Sequence, residues 1–309
     1  MNPLTGIYGA AGALRNTLYD HRILAVRRLA RPVLSVGNLS VGGSGKTPFV
    51  IALGELLEAR GIRFDVLSRG YRRQTRGVMV VEPNGSAADF GDEPLLIARR
   101  LDVPVIVGES RSEAGRLAEK NFESHLHILD DGFQHRSLAR DFDIVLMTGR
   151  DFEDRLLPSG RLREPLSSLA RADAIVLPAD LKVDSPVLRG KILWRMKRDL
   201  SVAGAPEAPF VFCGLARPQQ FFAQVRAAGI QPAAEGVFRD HHSYRRDDIE
   251  QLLATRTHAC AGGFLTTEKD AVNLGPLKNE LHPLAIAVLR VSFDNPADMV
   301  DTILQRITK

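Results

Sequence analysis

The chain has 309 residues, 44% apolar and 25% charged, with a net charge of +4, enough apolar side chains for about two ordinary cores. No apolar run reaches the roughly 18 residues of a membrane span, and no apolar segment with a small-residue cleavage site opens the chain, so neither a span nor a secretory leader is expected. Cys213 and Cys260 lack metal-ligand spacing and read as reduced thiols, and an aromatic content of 6% with no recognition motif leaves nucleic acid a poor match for the positive charge.

In chain order, Leu4, Ile7, Ala11, Leu14 and Leu18 recur at helical spacing. Arg15, Arg22, Arg27, Arg28 and Arg31 overlap and follow them. Such a helix either lies in a lipid headgroup region or packs on its own domain. β-rich runs come next at 33–36, 64–67, 103–107, 126–129, 144–147, 175–177, 210–212 and 285–291. Helical patterns at 49–60, 93–100 and 110–121 lie between them. This alternation predicts an α/β fold with a parallel sheet covered on both faces. Residues 77–81 with the turn Pro83-Asn84-Gly85 read as a hairpin insert. The Ala- and Pro-rich stretch 203–209 marks a boundary, giving a nucleotide-binding domain over 1–200 and a smaller α/β domain over 201–309.

Residues 35–49 read SVGNLSVGGSGKTPF. The pattern G-x-x-x-x-G-K-[ST] is met except at its first position, where Ser40 stands. A buried strand precedes the loop and an amphipathic helix follows it, which is the setting of a phosphate loop. Gly42, Gly43, Ser44 and Gly45 would turn backbone N–H groups toward phosphate oxygens at a helix N-terminus. Lys46 would reach the β- and γ-phosphates, and Thr47 would offer its hydroxyl to Mg²⁺. A P-loop NTPase-like core follows from this reading. Further on, HLHILDDGFQH ends an apolar strand in Asp130 and Asp131, where loops of this type hold Mg²⁺; a strand-to-turn signal is the other reading of the pair. The N-K-x-D string of guanine readers is absent, so ATP is the expected nucleotide. Asp92 and Glu93 open a helix in GDEP, where they serve either chemistry or capping.

The loop is also similar to that of MinD-like dimeric regulatory ATPases, which carry a second lysine just before the glycine pair. Val41 stands there. The ordered set SVGNLSVGGSGKTP, LSRGYRR, GDEP, DDGFQH, LPSGRLREP, DHH and TTEKDAV resembles tetraacyldisaccharide 4′-kinases, the lipid A 4′-kinases of Gram-negative bacteria, over residues 35–272. The resemblance implies a loop of this non-standard form. It also implies transfer of the ATP γ-phosphoryl group to the 4′-hydroxyl of an acylated glucosamine disaccharide 1-phosphate, giving lipid IVA. A peripheral location on the cytoplasmic face of the inner membrane is implied with it, and no obligate protein partner is evident. Two α/β domains would close over the nucleotide, bringing Asp92 to His241. Asp92 would then be the base for the hydroxyl proton, His241 its support, and Glu93 an assistant at Mg²⁺. The MinD-like ATPase is the alternative.

Overall fold

The computed structural model describes residues 3–307. Its elements, in chain order, are α1 (Pro3–Asp20), β1 (Val33–Asn38), α2 (Lys46–Ala59), β2 (Phe64–Ser68), β3 (Met79–Val80), α3 (Ala87–Phe90), α4 (Asp92–Arg100), β4 (Val105–Val107), α5 (Arg111–Asn121), β5 (Leu126–Asp130), β6 (Phe142–Leu146), β7 (Ala174–Pro178) and β8 (Ile192–Val202). After them come β9 (Phe210–Cys213), α6 (Pro218–Ala227), β10 (Ala234–Val237), α7 (Arg246–His258), β11 (Phe264–Thr267), α8 (Glu268–Leu274), β12 (Leu284–Phe293) and α9 (Pro296–Ile307).

Twelve strands form one sheet in the order β10-β9-β11-β12-β8-β7-β6-β1-β5-β2-β4-β3. All neighbours are parallel except β12 with β8 and β3 with β4. The inner strands β1, β2, β5 and β6 are buried at every position, as expected when helices cover both faces. Successive residues supply opposite faces. Leu34 and Val36 join a core with Phe49 and Leu53 of α2, Leu95 of α4 and Met299 of α9. Val33, Leu67 and Leu129 face Ala114 and Ala118 of α5 on the other side. The C-terminal strands repeat this arrangement. Phe210, Phe212 and Phe264 pack on Ile249 and Leu252 of α7, while Val211 and Leu265 pack on Phe221 and Phe222 of α6.

Two features differ from the sequence reading. Residues 77–81 do not fold back on a local turn. β3 instead pairs antiparallel with β4, and two helices intervene, because a two-residue strand without a partner of its own gains more by capping the sheet edge. The second is the stretch KILWRMKRD before the expected boundary at 203–209, which from Ile192 onward belongs to β8. Trp194 and Met196 are its buried positions, with Arg195 between them and Lys197 next along the strand. β8 carries the sheet without a break from β7 to β12, while residues 203–209 link β8 to β9.

α1 buries no side chain. Leu4, Ile7 and Leu14 are 58%, 66% and 61% exposed. Polar contacts hold the helix: Asn16 Nδ2 donates to Glu164 Oε2 at 3.0 Å, and Arg136 donates to the Asn16 carbonyl at 3.0 Å and to Asp20 at 2.6 Å.

Candidate active site

Parallel register decides what meets at the carboxyl edge of the sheet, where open α/β folds bind ligands. Val36 of β1 pairs with Asp130 of β5, and Leu67 of β2 pairs with Leu129. The loop after β1, Ser68 and the Asp130–Asp131 pair therefore emerge side by side.

Gly42, Gly43 and Gly45 have φ of 74°, 58° and 85°. These left-handed conformations cost glycine nothing and most other residues about 1–2 kcal/mol. The helix α2 begins at Lys46, so Lys46 and Thr47 stand in its first turn, and Pro48 sits where no intrahelical partner exists for a backbone N–H. Ser40 needs no glycine. It forms an antiparallel bridge with Leu162, and its carbonyl accepts from Asn38 Nδ2 at 2.7 Å, an extended setting that serine fills well.

Lys46 Nζ donates to Asn38 Oδ1 at 3.1 Å and lies 3.4 Å from Asp131 Oδ1. Arg163 forks onto the same carboxylate at 2.8 and 2.9 Å, and its guanidinium also donates to the Asn38 carbonyl at 3.0 Å. Asp131 has φ of 51°, which aspartate tolerates, and this turn aims it at both cations. Burial opposes its charge, but Lys46 and Arg163 outweigh burial and hold the carboxyl far below the usual range. Asp130 behaves oppositely. Burial first, then the charges of Glu93 and Asp131, push it up to about 7. Ser68 Oγ donates to its Oδ2 at 3.1 Å. Its Oδ1 is buried without a partner.

The second cluster adjoins the first through Glu93. Gly91, with φ of 89°, caps α4 and lets the chain pass close to the Tyr71 carbonyl, 3.0 Å from where a Cβ would stand. Asp92 follows, 4% exposed. His241 Nδ1 lies 2.8 and 3.0 Å from the two Asp92 oxygens, and Asn273 Nδ2 donates to Oδ2 at 3.1 Å. Lys269 Nζ donates to His241 Nε2 at 3.2 Å and to Asp240 at 2.9 Å. An ammonium is only a donor, so Nε2 accepts and the ring proton sits on Nδ1, toward Asp92. Lys269 Nζ is also 3.8 Å from Asp92 and 4.0 Å from Glu93. Burial raises the Asp92 carboxyl, but the His241 hydrogen bond and the Lys269 charge prevail and keep it below its ordinary value. The site thus presents an ionised, oriented carboxylate.

The fold brings all the sequence-predicted residues to one edge. Gly42, Gly43, Ser44, Gly45, Lys46 and Thr47 form one loop and helix start. Asp130 and Asp131 flank Lys46, and Asp92 meets His241 with Glu93 between the clusters. His242 points elsewhere, toward Asp248 at 3.0 Å. Of the arginines in LSRGYRR, Arg72 is held by the Asp240 carbonyl at 2.7 Å and Arg73 by Glu109 at 2.7 Å. Arg69 remains beside Arg111 and His135, where burial and then Arg111, Arg140 and Arg69 push the imidazole down to about 4. Sequence reasoning assigned no role to Lys269, Asn273, Ser68 or Asn38. Lys269 lies inside the recognised string TTEKDAV, so its signal was present. Among the described residues no three histidine, cysteine or acidic side chains converge as a closed metal centre. Mg²⁺ does not require one, since it commonly takes one or two carboxylates with waters and phosphates, and the unpartnered Asp130 oxygen suits it.

The family model for tetraacyldisaccharide-1-P 4′-kinase matches residues 1–308. The tetraacyldisaccharide 4′-kinase of Koribacter versatilis is 45% identical over 322 aligned positions, covering 100% of this chain and 99% of the relative. That of Aquifex aeolicus is 39% identical, covering 90% of each. A crystal structure of the Aquifex aeolicus protein in complex with ATP superposes with a TM-score of 0.81, at 34% identity, over 99% of this chain and 97% of that one. Over residues 1–308, this chain belongs to the tetraacyldisaccharide 4′-kinase family.

Proposed function

We propose that the protein transfers the γ-phosphoryl group of ATP to the 4′-hydroxyl of tetraacyldisaccharide 1-phosphate, giving lipid IVA for lipid A and lipopolysaccharide assembly. One observation carries the reading: an ionised carboxylate oriented by an imidazole, Asp92 with His241, stands on the same sheet edge as a glycine loop ending in Lys46. A phosphoryl donor site and a proton acceptor for an alcohol are thus neighbours. The MinD-like reading is not favoured, since it gives the Asp92–His241 pair no task and the whole chain matches a kinase family.

In this reading the backbone N–H groups of 42–47 and Lys46 hold the β- and γ-phosphates. Asp92 takes the proton of the attacking hydroxyl, and His241 and Lys269 keep it ionised and aimed. Thr47, Asp130 and Asp131 would hold Mg²⁺, with Glu93 assisting. When bound, the metal neutralises charge on the β- and γ-oxygens. Lys46 and Arg163 occupy Asp131, whereas Asp130 retains a free oxygen, so Asp130 is the better placed of the pair. Asp130→Asn is expected to raise the Mg²⁺ concentration for half-maximal rate by roughly tenfold, in line with other losses at metal sites, and Asp131→Asn by less. Titration of the rate with Mg²⁺ checks this; an unchanged Mg²⁺ dependence for both variants would leave the pair as a turn.

Two units are part of the proposal: residues 1–200 carry the phosphate loop, and 201–309 bring His241 and Lys269 over it on closure. So is location. No helix of the described residues is long and apolar enough to cross a membrane, and α1 exposes Leu4, Ile7 and Leu14 while its polar side is tethered. This supports peripheral binding to the cytoplasmic face of the inner membrane through α1. Deleting residues 1–20 is therefore expected to cut sedimentation with anionic vesicles by about tenfold, with ATP affinity within about twofold. High salt should weaken the intact protein's binding through screening. Equal partition of both forms would mean that α1 is internal packing.

ATP turnover with and without the acylated disaccharide tests the function itself. Acceptor-dependent ADP release is expected; acceptor-independent turnover would restore the regulatory ATPase.

A further inference from the structure

Three arginines lie against the phosphate loop. Where a Cβ would stand on Gly43, Arg217 Cδ and Nε are 3.4 Å away. At Gly45 the corresponding neighbour is Arg198 Nη1 at 3.1 Å, and at Gly42 it is Arg161 Nη2 at 3.4 Å. They come from three separate places: Arg198 from β8, Arg161 from the loop before the 3₁₀ turn at 166–171, and Arg217 from the link between β9 and α6. Arg161 is bonded to the loop itself, donating to the carbonyls of Val41 and Gly42 at 2.7 and 3.0 Å. Arg217 is not. Its Nε and Nη2 are buried with no hydrogen-bond partner.

Buried guanidinium donors without acceptors are costly, because desolvation is not repaid. Neighbouring charge adds to the cost. Burial first, then the cations Arg161, Arg150 and Arg198, disfavour the charged form of Arg217. Asp151, whose charge favours the guanidinium, makes no hydrogen bond to it, and its Oδ2 accepts from the Thr148 amide and hydroxyl at 2.6 and 2.9 Å. A cluster of cations around a loop of N–H donors is stabilised by a polyanion between them. The loop expected to hold a polyphosphate is the place where one would sit.

We propose that Arg217 is a phosphate-contacting catalytic residue supplied from the C-terminal half of the chain, its free Nε and Nη2 donating to the β–γ end of ATP. The inference rests on reading residues 42–47 as the phosphate loop. In the transfer step the O4′–Pγ bond forms and the bond from Pγ to the β–γ bridging oxygen breaks. The electron pair stays on the ADP oxygen and the hydroxyl proton goes to Asp92. Negative charge grows on the bridging oxygen beside Gly43, where a fixed guanidinium fork stabilises it, as an arginine finger does in other phosphate-loop enzymes. Because Arg217 lies in the link between β9 and α6, the same contact ties nucleotide occupancy to the position of the C-terminal strands.

The test compares Arg217→Ala, Arg217→Lys, Arg150→Ala and Lys46→Ala in the full chain, with direct binding of ATP and of AMP and with kcat. For Arg217→Ala the expected result is a kcat lower by at least about 30-fold and an ATP Kd raised about tenfold, with AMP affinity and melting midpoint near wild type. Arg217→Lys should recover part of the ATP affinity and little of kcat, since it keeps the charge and loses the fork. Arg150→Ala should stay within about threefold, because Arg150 touches none of the loop glycines. If Arg217→Ala keeps ATP affinity and kcat within threefold of wild type while Lys46→Ala loses them, the arginine proposal alone is overturned. If both variants bind ATP normally, the phosphate-loop reading falls with it. Equal losses for ATP and AMP would mark a packing role and also overturn the proposal.

Discussion

Replacing Lys46 with alanine is expected to reduce kcat by at least two to three orders of magnitude while the fold survives. Lys46 Nζ is held by Asn38 Oδ1 at 3.1 Å and faces Asp131 at 3.4 Å. Neither contact is part of the hydrophobic core, so the substitution leaves the packing of α2 on β1 intact. In the proposed mechanism, what is lost is one preorganised cation at the position where phosphoryl charge develops. Such a loss is worth about 3–4 kcal/mol of transition-state stabilisation, or a factor of about 10²–10³. Asp131 keeps Arg163 as its partner, so the variant does not leave an unpaired buried carboxylate. Steady-state kinetics with a melting curve on the same sample check the result. A folded variant with more than half of the wild-type rate would remove the phosphate-loop assignment.

Asp92→Ala and His241→Ala are expected to lower kcat by about 10²–10⁴-fold each, the range of a positioned acid–base group, with ATP affinity little changed. The two side chains are bonded at 2.8 Å, and Lys269 binds the far side of the ring at 3.2 Å. His241 has no separate access to chemistry in this arrangement. In the proposed mechanism it acts by holding Asp92 ionised and oriented. The double variant should therefore be scarcely slower than the slower single one, because residues that act as a unit are not additive. Losses that multiply would mean that each residue works alone and would dissolve the pair.

The sequence makes the centre of this fold easy to read, and the edges hard. β1, β2, β5 and β6 are short apolar runs buried on both faces, and such runs stand out between helical patterns. β8 does not, since one of its faces is charged and its neighbours were expected to be a linker. Its pairing with β12 is a long-range event that no local pattern announces. The same division holds at the site. The glycine loop and the strand-end aspartates are local signals. The Asp92–His241 contact joins residues 149 positions apart, and it entered only through resemblance to a family whose motifs include both strings. Lys269 stood within one of those strings without an assigned role, and Arg217 was out of reach for a plainer reason. A single basic residue in a chain with 41 lysines and arginines carries no mark of its surroundings until the strands bring it to the loop. Ser40, the one departure from the phosphate-loop pattern, is explained by backbone alone: its bridge to Leu162 makes the position extended, so the requirement for glycine begins at Gly42.

The central claim is a phosphoryl transfer to one hydroxyl of an acylated disaccharide. Its most direct measurement is incubation of the protein with ATP, Mg²⁺ and tetraacyldisaccharide 1-phosphate, followed by mass analysis of the lipid and phosphorus–proton correlation of the product. The account predicts a lipid heavier by one phosphoryl group, with the new phosphorus coupled to the proton at the 4′ carbon, and no such product from Asp92→Ala. A lipid of unchanged mass in the presence of hydrolysed ATP, or a phosphate on another hydroxyl, would contradict it.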